Sequence, residues 1–278
     1  MNGGFLKKQS RGRSLARPLC EGSADDAPEL LFGGVLVADK PAGWTSHDVV
    51  AKVKRTLDAK KVGHLGTLDP MATGVLPLVI NGATKFADSL GGGAVKVYSA
   101  TLKLGEDTDT YDKEGQVVRR GETGSLTDAD VRGVLRGFAG KMMQTPPMYS
   151  AIKKHGVPLY TLARKGVEVE REAREIEIHS FEILGISMPF VEFSVKCSKG
   201  TYVRSICHDA GAALGCGGHL FDLRRMASGV FTIDEAVSPL SNFETLACSI
   251  IPLEGALKRC GGNNGAEGGA GSVKTRLE

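Results

Sequence analysis

The sequence predicts an α+β fold in which a mixed sheet packs against helices. Residues 96–104 alternate between apolar and polar side chains, the period-two pattern of a strand with one buried face. Residues 75–80 are almost continuously apolar, as in a buried strand, and segments of helical periodicity lie between such strands. Because several strands alternate in this way, we expect an α+β sheet rather than a doubly wound parallel one.

The composition is that of a soluble globular protein with unevenly placed charge. Hydrophobic residues make up 41% of the 278 residues and charged residues 24%, which suits one large domain or two small ones. The net charge is +3, but the first 20 residues hold five Lys or Arg and no acid, so the rest carries −2. Nucleic acid would therefore be bound through a local basic surface. No apolar run approaches the ~18 residues of a membrane span, so we expect no membrane contact.

The sequence favours neither a metal nor a cofactor. The six cysteines form no C-x-x-C pair and no zinc-type cluster with histidine, so we expect reduced thiols. Cys197, Cys207 and Cys216 could meet in the fold as a redox or metal site, but buried inert thiols are the commoner outcome. No P-loop and no complete Rossmann fingerprint is present, which leaves a nucleotide cofactor unsupported.

The two ends of the chain differ in composition from its middle. Residues 1–30 begin as a basic, serine-containing segment without an apolar core, which is compatible with an organellar transit peptide and equally with a disordered basic tail. The first alternative places the protein in a chloroplast or mitochondrion, and the second in the cytoplasm. At the other end, residues 241–278 form a short segment in which 241–256 predict one closing helix and 261–272 a flexible glycine-rich tail.

The first predicted elements lead to a glycine-rich loop. Residues 32–40 predict a strand, and Ser46 suits the N-cap of a following helix. Residues 63–76 read GHLGTLDPMATGVL, in which Gly63, Gly66, Gly74 and Pro70 predict repeated sharp turns. This places Asp69 on a tight loop anchored by the apolar strand after it. Alternatively, Asp69 only caps a turn, because Asp before Pro favours turn initiation.

The second half supplies more strands, two helices and a basic segment. Thr127 and Asp130 predict a capping box, strands are expected at 175–184 and 190–197, and a helix begins near Thr201 with Arg204 off its apolar stripe. Between them, residues 144–166 interleave Lys, Arg and His with tyrosines. This pattern suits an RNA surface, through phosphate contacts and base stacking, or simply a solvated short helix.

Five blocks, in one order, resemble the TruB family of tRNA pseudouridine synthases. They are residues 39–50 (DKPAGWTSHDVV), 63–76, 96–115, 148–174 and 197–206 (CSKGTYVRSI). The resemblance covers roughly residues 33–237. It implies the pseudouridine synthase fold, a curved, mixed and mostly antiparallel sheet with surrounding helices and a central catalytic cleft, in a domain spanning residues 31–240. Bacterial members usually carry a C-terminal PUA domain, and we expect none in residues 241–278.

The resemblance also implies a set of site residues. Asp69 matches the family's catalytic aspartate, Arg204 the arginine that pairs with it, and Tyr98 the active-site tyrosine that stacks on the target base. Tyr202 and Leu223 match the rest of the base pocket, and His64 matches a residue that contacts the nucleotide loop. From the residues alone, Arg204 would be an ordinary surface arginine, and Tyr98 would simply pack in the core.

By resemblance, the function is conversion of uridine to pseudouridine at position 55 in the TΨC loop of tRNA, without metal or cofactor. The enzyme would flip the target base out of its stack. Residues 148–174 match an insertion that clamps the TΨC arm. We expect a monomer. Two alternatives stay open: a tRNA-binding or tRNA-folding protein of the same fold without turnover, and the same chemistry on mRNA.

Overall fold

The computed structural model describes residues 33–91, 94–150, 152–154, 156–163, 166–167 and 169–262. The strands in these residues are, in chain order, β1 (Gly34–Lys40), β2 (Val62–His64), β3 (Thr73–Ile80), β4 (Lys96–Leu104), β5 (Glu106–Thr108), β6 (Val117–Arg120), β7 (Gly140–Gln144), β8 (Lys153–Lys154), β9 (Val157–Pro158), β10 (Arg174–Ser187), β11 (Phe190–Cys197), β12 (Gly218–Ser228), β13 (Phe231–Thr232) and β14 (Ile251–Pro252).

The helices of the described residues are short, and all but the last lie between strands in chain order. They are α1 (Ser46–Thr56), α2 (Ala87–Gly91), α3 (Asp128–Arg136), α4 (Leu159–Ala163), α5 (Val203–Ala213), α6 (Phe243–Cys248) and α7 (Leu253–Gly262), with 3₁₀ segments at Asn81–Phe86 and Ile233–Glu235. None of the helices in the described ranges is long and apolar enough to cross a membrane.

One sheet organises the domain. Its strands follow the order β14-β1-β3-β12-β4-β11-β10-β7, with β2 added to β3 and β13 to β12. All the described pairings of these strands are antiparallel except that of β3 with β12, which is parallel. The sheet is therefore mixed and mostly antiparallel, as predicted. Its parallel contact lies next to the loop that carries Asp69.

The centre of the sheet is buried on both faces. In β1, Leu36 and Ala38 belong to one hydrophobic cluster, while Val35 and Val37 belong to the other. Strand β3 is divided between the same two clusters, which explains why its sequence is continuously apolar instead of alternating. A loop attached to such a strand starts from a rigid base.

Most local predictions agree with the structure. Strand β4 buries alternate residues beginning with Tyr98, and β11 alternates in the same way. Helix α3 begins after Thr127, which forms the predicted capping box with Asp130. The prediction for α1 is wrong by one residue, because Thr45 is the N-cap and shares its capping box with Asp48. Ser46 is buried and has a different partner, described below.

Two other predictions are wrong. Gly63 is not at a turn but in the middle of β2, paired with Val79 of β3. Residues 241–256 do not form one helix, because α6 ends at Cys248. The next element is β14, which contains Pro252 and pairs with β1, and α7 begins only after it. Proline breaks helical hydrogen bonding, so a continuous helix is disfavoured there. The predicted N-terminal extension lies outside the described residues, as does most of the glycine-rich tail.

Candidate active site

Asp69 lies on the connection between β2 and β3, and its two neighbours in the chain are tied to distant parts of the protein. We call residues 65–72 the Asp69 loop. Before Asp69, the backbone of Leu68 makes two hydrogen bonds with the Ser46 hydroxyl, which donates to the Leu68 carbonyl at 3.0 Å and accepts from its N–H at 2.9 Å. Ser46 therefore supports the loop, a role that the prediction of a helix cap missed.

After Asp69, the loop is held by a buried lysine. Lys40 is fully buried, and its ammonium donates to the carbonyl of Pro70 at 2.9 Å, to that of Pro41 at 2.9 Å and to that of Trp44. Burial lowers the pKa of Lys40 to about 8, and the charge of Asp69 opposes this shift. Lys40 thus fixes the loop and adds positive charge beside the carboxylate.

The Asp69 carboxylate pairs with Arg204 in the first turn of α5. The guanidinium Nε lies 3.0 Å from Asp69 Oδ2, and Nη2 donates to Oδ1 at 3.3 Å. Such a two-point contact fixes the orientation of the carboxylate as well as its charge. The Arg204 side chain is 4% exposed, so the interpretation as an ordinary surface arginine is wrong. The Asp69 side chain is 35% exposed and remains accessible from solvent.

Two further loops orient Arg204, one between β5 and β6 and the other after β7. Arg204 Nη2 donates to the carbonyl of Tyr149 at 2.7 Å, and its Nη1 donates to that of Thr110 at 3.2 Å. Nη1 also lies 3.6 Å from the buried carboxylate of Asp112. The guanidinium is therefore held on several sides while it faces Asp69. Sequence reasoning missed Asp112 because nothing in its local pattern indicates a contact with a residue 92 positions later in the chain.

The electrostatic environment of Asp69 combines opposing effects. Desolvation raises the pKa of its carboxyl group, and the neighbouring Asp112 carboxylate adds to the rise. Arg204 and Lys40 oppose it, and Arg204 is the stronger of the two. The two cations therefore favour the ionised form, which a nucleophile requires.

Two tyrosines lie within electrostatic reach of Asp69. Tyr98 is buried on the core face of β4, and Tyr202 directly precedes α5. Burial raises the pKa of both phenols, and the charge of Asp69 contributes to each rise. The backbone of Tyr202 is held by the Gln144 side-chain amide, which accepts from its N–H at 2.8 Å and donates to its carbonyl at 3.1 Å. Both phenols are thus neutral hydrogen-bonding groups at neutral pH.

The other two predicted site residues are Leu223 and His64. Leu223 is buried on β12, opposite Ala100 of β4. His64 ends β2; desolvation lowers the pKa of its imidazole, and its buried Nδ1 has no hydrogen-bond partner within the described residues. Within the described residues, no hydrogen bond or ion pair joins either Leu223 or His64 to Asp69.

The predicted clamp segment, residues 148–174, lies only partly within the described residues. In the clamp segment, His155, Arg164 and Lys165 lie outside the described residues, while the start of the segment contacts the site through the Tyr149 carbonyl.

Cys197 and Cys207 are buried free thiols, and burial raises the pKa of both. Across the described ranges, no group of His, Cys, Asp and Glu has the arrangement of a metal site.

Comparison with known proteins identifies the family. Residues 54–203 match the TruB family pseudouridylate synthase N-terminal domain, and residues 204–258 match the tRNA pseudouridylate synthase B C-terminal domain. The chain is 55% identical to tRNA pseudouridine synthase B of Geobacter sulfurreducens over 74% of its own length and 67% of that relative. It is 48% identical to the protein of that name from Clostridium tetani, over 82% of the chain and 79% of the relative.

Solved structures agree with these relatives. A Cbf5-Nop10-Gar1 complex contains a chain that matches with a TM-score of 0.63 and 31% identity, over 83% of this chain and 63% of that one. An H/ACA RNP bound to a substrate RNA containing 2′-deoxyuridine matches with a TM-score of 0.60 and 28% identity, over 83% and 62%. This chain thus spans less than two thirds of either solved chain. The predicted pseudouridine synthase fold is confirmed, and the chain belongs to the TruB family of pseudouridylate synthases.

Proposed function

We propose that this chain isomerises uridine to pseudouridine at position 55 in the TΨC loop of tRNA. The observation that carries the proposal is the Asp69–Arg204 pair: a partly exposed carboxylate on a braced loop, held at two points by a buried guanidinium. Relatives that are 55% and 48% identical to this chain over the aligned residues are named tRNA pseudouridine synthase B. A non-catalytic RNA-binding protein would have no need to orient a carboxylate in this way.

The reaction breaks the bond between C1′ of the ribose and N1 of uracil and forms a bond between C1′ and C5. N1 gains a proton, C5 loses one, and no net oxidation or reduction occurs. Asp69 would act at C1′ or at the base, as carboxylates do in other glycosyl chemistry. The loop contacts of Ser46 and Lys40 restrict the carboxylate to a narrow range of positions, which lowers the entropic cost of reaching the reactive geometry.

Arg204 and Tyr98 have distinct proposed roles. Arg204 keeps Asp69 ionised despite its desolvation, because the guanidinium retains its charge at all accessible pH values. Tyr98 would stack on the flipped base after it has turned. Because its phenol is neutral, it would take the proton from C5 only while giving its own proton to a neighbouring acceptor, so that the proton lost by C5 is balanced by the one gained at N1. Its ring belongs to the buried face of β4, so a rigid strand would hold it against the substrate. Tyr202 and Leu223 would line the base pocket, and His64 would contact the nucleotide loop.

A test of the proposal measures conversion at a defined uridine. The full chain is incubated with an unmodified tRNA transcript, and pseudouridine is mapped at single-nucleotide resolution. We expect conversion at position 55 and none in a matched transcript with cytidine there. A hairpin containing only the TΨC arm, and an mRNA hairpin with the same loop, test how much of the tRNA is required. Stable binding without conversion across several tRNAs would contradict the proposal and favour a role in RNA folding.

The N-terminal extension and the oligomeric state need their own tests. We propose that residues 1–30 are either an organellar transit peptide or a basic tail, the two alternatives that their composition leaves open, and that the protein acts as a monomer. If they are a transit peptide, their removal should leave conversion unchanged and abolish organellar import of a fluorescent fusion. Loss of conversion after truncation would contradict targeting as the sole role and indicate RNA binding by the basic segment. Light scattering of the purified chain checks its mass.

A further inference from the structure

Arg225 is a fully buried cation in β12 for which the proposed reaction gives no role. Within the described part of the chain, it forms no ion pair with a carboxylate. Its hydrogen bonds go to three backbone carbonyls instead: Nε donates to Val75 at 2.6 Å, Nη2 to Gly66 at 3.1 Å and Nη1 to Thr67 at 3.4 Å. Burying a charge without an ion pair is costly, so this arrangement calls for an explanation.

The three carbonyls lie on both sides of Asp69. Gly66 and Thr67 precede it by two or three residues, and Val75 is the third residue of β3, just beyond the end of the loop. One guanidinium therefore connects the start of the Asp69 loop to the strand that follows it. Because the guanidinium is planar and rigid, its donors hold these two segments at a fixed separation. The carboxylate projects from the part of the chain between them.

The backbone around Gly74 brings Arg225 to this position. Gly74 pairs with Arg225 across the parallel contact of β3 and β12. A Cβ at Gly74 would lie 2.3 Å from the Arg225 carbonyl oxygen, and the φ of Gly74 is +98°. Only glycine combines that conformation with so close an approach. The strand pairing that places Arg225 next to the Asp69 loop therefore depends on Gly74, the last glycine of residues 63–76.

Arg225 also faces Tyr98. In the antiparallel pairing of β12 with β4, Arg225 lies directly opposite Tyr98, and residues so paired project from the same face of a sheet. Among the charges that act on the Tyr98 phenol, that of Arg225 is the largest, and it opposes the rise in pKa caused by burial. The same side chain therefore contacts the Asp69 loop and acts on the tyrosine.

We infer that Arg225 is a positioning residue for the isomerisation, which fixes the Asp69 loop and Tyr98 in one geometry so that both reach the same nucleotide. The inference rests on the proposed function. A neutral side chain could fill the volume, but it could not donate to three carbonyls on two segments and also present a positive charge to the phenol.

The test compares Arg225→Lys and Arg225→Met with the control Arg259→Met. Arg259 lies on the surface of α7, where it pairs with Glu235 of the preceding 3₁₀ segment, and it is far along the chain from the site residues. Conversion is measured in single turnovers with enzyme in excess, and tRNA binding is measured separately. Because misplacement by ~1 Å costs about 100-fold in rate, we expect Arg225→Lys to lose about 10- to 100-fold and Arg225→Met to lose more. We also expect both Arg225 variants to have tRNA dissociation constants within about threefold of that of the wild type. The Arg259→Met control should match the wild type in rate and in binding.

A second measurement separates positioning from stability. Amide hydrogen exchange should accelerate in residues 63–76 of Arg225→Lys, while exchange in α3 stays unchanged, because only the loop loses its anchor. If Arg225→Met does not fold, Arg225→Lys carries the test, since it leaves a cation in the buried site. A wild-type rate in Arg225→Lys overturns the inference, and so does a loss of rate no larger than the loss of folded protein. If the wild type converts no uridine, the proposed function fails. Independently of that result, unchanged amide exchange of residues 63–76 in Arg225→Lys would show that Arg225 does not anchor the Asp69 loop.

Discussion

Replacement of Arg204 by glutamine tests whether the guanidinium keeps Asp69 ionised. The change removes the positive charge and leaves an amide whose NH2 group can still donate hydrogen bonds. In the wild type, the pair has contacts of 3.0 and 3.3 Å, and the Arg204 side chain is 4% exposed. Glutamine is shorter and neutral, so the two-point contact cannot be retained.

The structure sets the expected size of the effect. Breaking a buried ion pair costs about 3–5 kcal/mol. Because Asp69 is 35% exposed, solvent screening reduces this to roughly 2–3 kcal/mol. If the lost energy is that of the reactive carboxylate, the single-turnover rate at neutral pH should fall about 30- to 150-fold, at ~1.4 kcal/mol for each factor of ten.

The pH dependence gives the sharper result. Desolvation already raises the pKa of Asp69, and Arg204 is the strongest group that lowers it. Removing Arg204 raises that pKa further, so more of the carboxyl is protonated at a given pH. The acid limb of the rate profile should therefore move to higher pH, and the variant should regain part of its activity as pH rises where the wild type is flat.

Single-turnover conversion of a tRNA transcript between pH 5 and 9 provides the measurement, with Arg259→Gln as a surface control. We expect the control to keep both the rate and the profile of the wild type. A uniform loss of rate with an unchanged acid limb would refute the reasoning, because it would show that Arg204 does not govern the ionisation of Asp69.

Two stability predictions concern the support of the loop. Ser46→Ala leaves the N–H and carbonyl of Leu68 without their partner and should lower the free energy of unfolding by about 1–3 kcal/mol, with slower conversion; unchanged urea denaturation would contradict this. Gly74→Ala and Gly140→Ala both place alanine at a φ near +99°, which costs about 1–2 kcal/mol. Only at Gly74 does the new Cβ meet backbone, that of Arg225, so its loss in urea denaturation should exceed that of Gly140→Ala by about 1–3 kcal/mol. Equal losses would contradict the role of the close approach.

The sequence predicts those parts of the fold that depend on local signals. Alternation in β4 places Tyr98 on the buried face, because a strand's side-chain period does not depend on distant residues. The capping box of Thr127 and Asp130 is likewise contained within four residues. Where two hydroxyl residues compete, as at Thr45 and Ser46, the local pattern cannot choose between them. The tertiary contact of Ser46 with Leu68 decides.

The support of the site is harder to predict, because its contacts join residues far apart in the chain. The glycines and proline around Asp69 indicate a tight loop, but nothing near Lys40 or Arg225 indicates that each donates to backbone carbonyls of that region. These contacts span 30 residues for Lys40 and up to 159 for Arg225. The Lys40 contact depends on the antiparallel pairing of β1 with β3, and the Arg225 contacts depend on the parallel pairing of β3 with β12. These pairings are properties of topology and leave no local pattern in the strands.

The most direct test of the central claim compares the wild type with Asp69→Asn for pseudouridine formation at position 55 of an unmodified tRNA transcript. Asparagine keeps the size of the side chain and one hydrogen-bonding oxygen, but it removes the charge that pairs with Arg204. We expect the wild type to convert the uridine, and the variant to bind the same tRNA and convert none. Conversion by Asp69→Asn at a rate close to the wild type would contradict the account.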